Sequence, residues 1–529
     1  MKYPIGVQSF EVLREDGYIY VDKTDQIYSL THEGSIYFLS RPRRFGKSLL
    51  VSTLKSYYEG RRDLFEGLAI SGMEQEWKHY PVFHIDFGMG SYTTGNALEQ
   101  VLDRCLSKWE AQYDIDREGF TDFSVRFFRV LEAAHRQTGL RAVVLVDEYD
   151  KPLLDVMDLN YKVEHLGEQI TLEIYNRNRL AAFYSTFKAA DEHLQFVLLT
   201  GVTKFSQTTV FSGFNQPDDI SLSVKYDAIC GITAEEIEHY FQQPVAEMAD
   251  VYACSVDEMR RMLKQRFDGY HFSKRLRGVY NPFSLLNSLK ESDLQDYWFR
   301  TGTPTYLIRL LNHFNENLNE LTGKYYSPDQ FIDYRADVER PLPMIFQSGY
   351  LTIKEYKLRN NTFLLDFPND EVKRGFVTLL ASNYLKPKES VDNLILQAVD
   401  QLEDGHLDEF REQLTSFLSS IPYTMRRKEN EREKERYFHY TFYLLLRLLS
   451  TYMVYTEKAQ SQGRVDCVIQ TPNYVYIFEF KLDGTADEAL RQIEEKGYAR
   501  EFSTDPRTVR RIGCSFSSET GTISEWKEV

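Results

Sequence analysis

Arg41-Pro42-Arg43-Arg44-Phe45-Gly46-Lys47-Ser48-Leu49-Leu50 is the stretch that decides the fold. The apolar run Ile36-Tyr37-Phe38-Leu39 before it reads as a buried strand, and the residues after Gly46 read as the first turn of a helix. A strand, a tight turn carrying Gly-Lys-Ser and a helix N-terminus together make an anion site. Backbone amides point at the ligand, a lysine reaches the β- and γ-phosphates, and a hydroxyl holds Mg2+. Gly46, Lys47 and Ser48 take those places, with Arg43, Arg44, Phe45 and Leu49 around them as nucleotide-binding candidates. Such loops ordinarily have a glycine five residues before Gly46. This chain has Arg41 there, then Pro42, so the loop is stiffer and more cationic. A solvated charged turn is the plain alternative for the triplet alone. It would more often mix signs, whereas Arg41, Arg43, Arg44 and Lys47 fall together here.

Ala142-Val143-Val144-Leu145-Val146-Asp147-Glu148 is the second element. An unbroken apolar run suits a central parallel strand covered on both faces, and open α/β sheets bind ligands at the carboxyl ends of such strands. Asp147 is placed to hold Mg2+ through water or Ser48, and Glu148 to orient or deprotonate an attacking water, as in a Walker B strand. Two loop acids after an apolar strand would be the bland reading of the same residues. Phe196-Val197-Leu198-Leu199-Thr200-Gly201 fits a neighbouring strand, with Thr200 as the polar group that senses a γ-phosphate.

Length and composition suit a large globular enzyme: 529 residues give room for two to four domains, and 42% hydrophobic with 14% aromatic residues excludes general disorder. A net charge of -16 repels nucleic acid as a whole, so any polynucleotide contact must use a local basic groove or metal ions. The five cysteines, Cys105, Cys230, Cys254, Cys467 and Cys514, are scattered without a CxxC pair, which predicts reduced thiols in a cytoplasm and no structural zinc. The amino terminus mixes charge and polarity from the start, unlike a signal peptide. The most apolar helical stretch, Phe442 to Val454, is too short to span a bilayer and contains Arg447, so no membrane anchor is expected.

Residues 1–225 alternate apolar strands with helical patterns: Tyr18–Val21, Ile36–Leu39, Val82–Asp86, Ala142–Val146 and Phe196–Leu199. Alternation of this kind predicts a parallel sheet covered by helices. Residues 226–380 turn helical, punctuated by aromatic-glycine turns such as Phe267–Phe272 and Tyr280-Asn281-Pro282-Phe283, and read as a helical lid or accessory region. Phe346–Ile353 looks like a helix end leading into a hairpin. Residues 381–529 form the last division.

That division carries a second constellation. Gly463-Arg464-Val465-Asp466-Cys467-Val468-Ile469 and Val475-Tyr476-Ile477-Phe478-Glu479-Phe480-Lys481 flank a Thr-Pro-Asn turn and predict a two-stranded hairpin. Period 2 puts Val475, Ile477, Glu479 and Lys481 on one face and Tyr476, Phe478 and Phe480 on the other, so Glu479 and Lys481 emerge together from a largely buried strand. Burying either charge unpaired is unfavourable. A divalent metal, Mg2+ or Mn2+, held by Asp466 and Glu479 would resolve this, with Lys481 positioning the attacking water and stabilising the phosphate. A cross-strand salt bridge explains the same three residues. Upstream, Glu435 opens a helical pattern and is a further acid candidate, or part of a solvated mixed-charge face. Downstream, Gln492 and Lys496 share one face of a helix over 487–496, from which a glutamine can hydrogen-bond a scissile strand.

With both constellations placed, the whole chain resembles a bacterial family of AAA-ATPase-like proteins with a carboxyl-terminal PD-(D/E)xK nuclease-like domain. The resemblance rests on Tyr20-Val21-Asp22-Lys23-Thr24, Arg41 to Ser48, Val146-Asp147-Glu148-Tyr149-Asp150, Leu199 to Phe205, Phe211 to Asn215, Tyr280 to Phe283, Ser348-Gly349-Tyr350-Leu351, Gly463 to Asp466 and Glu479 to Lys481. It also accounts for Arg41, since that family's phosphate loop itself begins Arg-Pro-Arg-Arg. It implies an α/β fold: a P-loop NTPase parallel sheet with a helical lid, followed by a restriction-endonuclease-like α/β domain. It implies ATP and Mg2+ at Lys47, Ser48, Asp147 and Glu148, and a nuclease-type site at Asp466, Glu479 and Lys481. Two functions follow: an ATP-dependent nuclease on DNA or RNA, or a nucleotide-dependent switch whose second domain only binds nucleic acid or a partner protein. Arg43 and Arg44 are candidate arginine fingers within the chain, and an arginine of the lid region is one between copies of a homo-oligomer.

Overall fold

The computed structural model describes residues 1–117, 119–157, 159, 161–165, 167–205, 217–302, 321–332, 341–385, 397–420 and 466–529. The chain forms two compact units, Met1–Val372 and Lys373–Val529.

The first unit is built on a five-stranded sheet of β1 (Ile36–Ser40), β2 (Val82–Asp86), β3 (Ala142–Asp147), β4 (Leu194–Gly201) and β5 (Asp218–Asp219), in the order β2-β3-β4-β1-β5. All four pairings are parallel. β3 is buried along its whole length, as its continuous Val-Val-Leu-Val run requires between two helical layers. The order places β4 between the phosphate-loop strand β1 and the acid-bearing β3, so Thr200 at the end of β4 stands beside both. Parallel register sends all the carboxyl ends to one edge, and the loops at that edge carry Ser40–Lys47, Asp86, Asp147–Asp150 and Gly201.

Residues 18–21 do not form the expected strand. They run as extended chain whose Ile19 and Val21 pack against a helical cluster of Ile232, Phe241, Met259 and Leu285. Asp22 then starts the helix Thr24–Glu33, its Oδ1 accepting from the Thr24 amide at 2.8 Å and hydroxyl at 2.7 Å. Burial against helices substitutes here for a ladder partner.

Beyond the sheet the first unit continues through the helices Ala234–Tyr240, Gln242–Val251, Val256–Phe267 and Pro282–Glu291, the helix Leu342–Gln347, and a hairpin of Thr352–Lys357 and Thr362–Asp366. The expected helix end leading into a hairpin is present. Asn281 caps Pro282–Glu291, its side chain accepting from the Ser284 amide, with Pro282 at the first helical position.

The second unit contains a four-stranded mixed sheet in the order β6 (Cys467–Gln470), β7 (Tyr474–Leu482), β8 (Thr508–Phe516), β9 (Ile523–Glu528). β6 and β7 form the predicted antiparallel hairpin, and the parallel pair β7 and β8 is bridged by the helix Ala486–Lys496. Val475 and Ile477 pack with Ile493 of that helix on one face. On the other face, Phe478 meets Phe410 and Trp526 at ring separations of 6.4 and 5.9 Å. One face of β7 thus packs on the helix Ala486–Lys496 and the other meets Phe410 of the helix Leu407–Ser420. Glu435 and the apolar stretch 442–454 lie outside the described residues. Among the described residues no helix is long and apolar enough to cross a membrane.

Candidate active sites

The phosphate loop keeps its shape without the usual first glycine. Gly46, at φ 93°, takes the left-handed conformation that starts the helix Lys47–Tyr58, and Arg44 takes another at φ 67°. Arg41 is 1% exposed, and its guanidinium donates to the carbonyls of Ser40, Ser221 and Tyr226 at 2.9, 2.7 and 3.1 Å while lying 4.1 Å from the centre of the Phe272 ring. Its charge is therefore spent inside the protein, so of the loop's arginines only Arg43 and Arg44 add positive charge at its mouth. Phe45 is likewise turned inward, edge-on to Tyr270 at 4.8 Å and to Phe272 at 5.4 Å. It anchors the loop, so a ligand meets only its backbone. Pro42 is held by Gly349, where any Cβ would come within 2.7 Å of the proline ring. The aromatic-glycine turns and the Ser348-Gly349-Tyr350 segment thus brace the phosphate loop.

Gly46, Lys47, Ser48 and Leu49 open onto a cavity of about 410 Å³ that is also lined by Arg43, Arg44, Glu148, Asp150 and Trp298. Lys47 Nζ donates to the carbonyls of Arg41 and Pro42 at 2.9 and 3.1 Å, and burial pushes its ammonium down while Asp147, Glu148 and Asp150 pull it back up. Those two carbonyls are weak partners that phosphate oxygens would replace.

The Asp147-Glu148-Tyr149-Asp150 run divides its work. Thr200 Oγ1 donates to Asp147 Oδ1 at 2.5 Å, and the Glu148 amide donates to the same oxygen at 3.0 Å, which fixes the Asp147 carboxylate. Thr200 itself is fully buried and reaches the site through Asp147. Glu148 sits at φ 52°, unusual for a residue with a side chain, which turns its carboxylate into the cavity. Burial pushes that carboxyl up, and Lys47 and Arg43 pull it down. Asp150 Oδ2 accepts from the Val202 and Thr203 amides at 3.0 and 2.6 Å, and burial holds its carboxyl at about 6. The Tyr149 hydroxyl donates to the Thr203 carbonyl at 2.8 Å. The second half of the run thus holds the loop after β4.

Sequence reasoning missed Asp86, which pairs in register with Asp147 at the same sheet edge and stands next to Glu148 beside Gly88. An acid closing an apolar strand was the available signal. It also missed Trp298, whose indole donates to the Arg43 carbonyl at 3.0 Å, a contact across more than 250 residues that no local pattern announces.

In the second unit, Asp466, Glu479, Lys481 and Gln492 come together. Glu479 is 2% exposed; its Oε1 accepts from Gln492 Nε2 and lies 3.8 Å from Lys481 Nζ, and Lys481 Nζ donates to Gln492 Oε1 at 2.6 Å. Asp466 Oδ2 accepts from the Phe480 amide at 2.8 Å. Burial, and then the Asp466 charge, raise the Glu479 carboxyl to about 7. Its Oε2 is buried without a hydrogen-bond partner. The partnerless Glu479 oxygen beside a second acid fits a divalent cation, which would satisfy that oxygen and offset the repulsion between the two carboxylates. Among the described residues no cluster of three or more His, Cys, Asp or Glu side chains is arranged to hold a metal, so described residues bring two carboxylates to this site.

The first unit, with a Gly-Lys-Ser helix N-terminus at the open edge of a parallel sheet, has a P-loop nucleotide-binding fold, and the second unit's mixed sheet with its acid-x-Lys strand has a nuclease-like fold. The family described as predicted AAA-ATPase matches residues 4–211, and the PD-(D/E)XK nuclease superfamily matches residues 433–526. An uncharacterized protein of the vnfD 5' region of Azotobacter chroococcum mcd 1 is 34% identical over 535 residues, covering 99% of this chain and 98% of that protein. The chain belongs to the family of predicted AAA-ATPase-like proteins with a carboxyl-terminal PD-(D/E)XK nuclease superfamily domain.

Proposed function

We propose that the first unit binds ATP with Mg2+ and hydrolyses it, and that the second unit is a metal-dependent nuclease domain acting on nucleic-acid phosphodiesters. The observation that supports this most directly is the single cavity that gathers Lys47 and Ser48 at a helix N-terminus with the strained Glu148. Lys47 would exchange its loop carbonyls for β- and γ-phosphate oxygens, Ser48 and Asp147 would hold Mg2+, and Glu148 would take a proton from the attacking water. In the second unit Asp466 and Glu479 would hold Mg2+ or Mn2+, which when bound supplies a Lewis acid for the phosphate. Lys481 would face the developing charge, and Gln492 would hold Lys481 and Glu479 in register. The five free cysteines support a reducing compartment such as a cytoplasm as the setting.

A second reading has its own support. Lys481, Gln492 and Glu479 Oε1 already form a hydrogen-bonded chain whose ends meet in a 3.8 Å ion pair, as a structural cluster would, which favours a nucleotide-dependent switch whose second unit binds nucleic acid or a partner protein without cutting it. Ligand-linked melting separates the two. ATP with Mg2+ should raise the melting temperature of the wild type and leave Lys47→Ala unmoved, and Mn2+ alone should raise the wild type but not Asp466→Asn. Asp466→Asn without metal should be as stable as the wild type or more so, since it relieves repulsion with Glu479. A wild type insensitive to Mn2+ beside a destabilised Asp466→Asn would favour the switch.

A further inference from the structure

We propose that Arg43 is a catalytic arginine of the nucleotide site, supplied by the same chain that carries Lys47 and Glu148, so that hydrolysis needs no residue from a second copy. This rests on the ATP-hydrolysing reading above and names the group that stabilises its transition state.

The cavity holds four cations, Arg43, Arg44, Lys47 and Lys151, and three of them are engaged. Lys47 is bonded to two loop carbonyls, Arg44 lies 4.9 Å from the centre of the Phe283 ring, and Lys151 pairs with Asp155 at 3.0 Å. Arg43 is exposed to the cavity, and its guanidinium has no hydrogen bond or ion pair among the described residues. Its charge acts on Glu148, so both groups bear on the same part of the cavity. The root of the side chain is fixed. Trp298 Nε1 donates to the Arg43 carbonyl, and the Trp298 amide is itself held by Glu371 Oε1 at 2.7 Å. A pinned backbone with a free guanidinium is what a group needs if it is to meet charge only when a nucleotide arrives.

The chemistry balances without any further reactant. The oxygen of water bonds to the γ-phosphorus, the bond from that phosphorus to the β,γ-bridging oxygen breaks, and its electron pair leaves with ADP. The water proton passes to Glu148. Negative charge spreads over the equatorial and bridging oxygens as the bonds exchange. Arg43, a planar donor with paired N–H groups, would bind those oxygens more strongly in the transition state than in ATP.

The test uses the full-length chain and compares wild type, Arg43→Ala, Arg43→Lys, Glu148→Gln and Lys47→Ala. Calorimetry with ADP and Mg2+ should find Arg43→Ala within several-fold of wild type, which also shows that it folds. Its kcat should fall by ~10^3-fold, with little recovery in Arg43→Lys, which lacks the planar fork. Aluminium fluoride should trap ADP on the wild type and not on Arg43→Ala. Mixing Arg43→Ala with Glu148→Gln should restore no activity, and the wild-type rate per molecule should not change with protein concentration. Arg43→Ala turning over at the wild-type rate would overturn the proposal, as would activity regained on mixing, which would put the arginine in trans. Failure of the underlying reading looks different: the wild type would bind no ATP, or Lys47→Ala would bind it equally well.

Discussion

Glu148 shows how a single residue concentrates the site's chemistry. A left-handed φ in a non-glycine residue is unfavourable by about 1–3 kcal/mol and persists only where the surroundings impose it. Here they do. The Glu148 amide is bonded to Asp147 Oδ1, the Tyr149 amide to the Thr200 carbonyl at 3.0 Å, and Asp150 to the loop after β4. The strain leaves the Glu148 carboxylate in the cavity, half desolvated and close to Lys47. Replacing it with glutamine retains size and hydrogen bonding but removes the base. Glu148→Gln is therefore expected to bind ATP with wild-type affinity by calorimetry while steady-state turnover drops ~10^2-fold or more. Normal turnover would mean that another group takes the proton, and Asp86, which stands with Glu148 beside Gly88, is a candidate.

At the level of elements, each site depends on one close approach. In the first unit β4 meets the Asp147–Asp150 turn at Gly201, where a Cβ would fall 2.7 Å from Asp150 Oδ1 and from the Tyr149 ring. In the second, the helix Ala486–Lys496 begins directly over β8, and a Cβ on Gly513 would lie 2.3 Å from the Ala486 carbonyl oxygen. That contact is with backbone and cannot be relieved by a rotamer change. Gly513→Ala should push the helix start outward, loosening the Thr485 and Glu488 capping box and drawing Gln492 away from Glu479 and Lys481. The expected loss is about 2 kcal/mol or more in the second unit's urea unfolding, with ATP affinity untouched. Wild-type stability in the variant would show that the helix slides freely and that Gln492 is not held by it.

Across the first unit as a whole, stability should depend on pH through a group far from the phosphate loop in sequence. Glu371 is 1% exposed, accepts from the Ser284 hydroxyl at 3.0 Å and the Trp298 amide at 2.7 Å, and burial raises its carboxyl from 4.5 to about 7. A raised carboxyl binds its proton more tightly folded than unfolded. Its contribution is complete below about 4.5 and is lost as pH rises through about 7. A shift of that size corresponds to roughly 3 kcal/mol. Denaturant unfolding of wild type and Glu371→Gln should therefore converge below about 4.5, separate progressively as pH rises to about 7 and stay apart above it, with the glutamine variant the more stable. A constant difference across this range would mean that Glu371 is ionised in the fold.

The sequence by itself determined the elements whose chemistry is local. The strand, turn and helix around Gly46-Lys47-Ser48, the acid pair closing β3, and the hairpin bearing Asp466, Glu479 and Lys481 are written in period, turn residues and spacing, because backbone conformation responds to near neighbours. Gln492 was legible for the same reason, as one face of a short helix. Tertiary structure alone decided how these pieces combine. The insertion of β4 between β1 and β3, the inward burial of Arg41 against Phe272 and the Ser221 and Tyr226 carbonyls, and the Trp298 contact to Arg43 all join residues about fifty to more than two hundred and fifty positions apart. Residues 18–21 read as a strand and became packed coil because helices, rather than a sheet edge, cover them. A residue's type states what it can bond to. Only the packed chain states which partner is within reach, and burial then makes that choice binding.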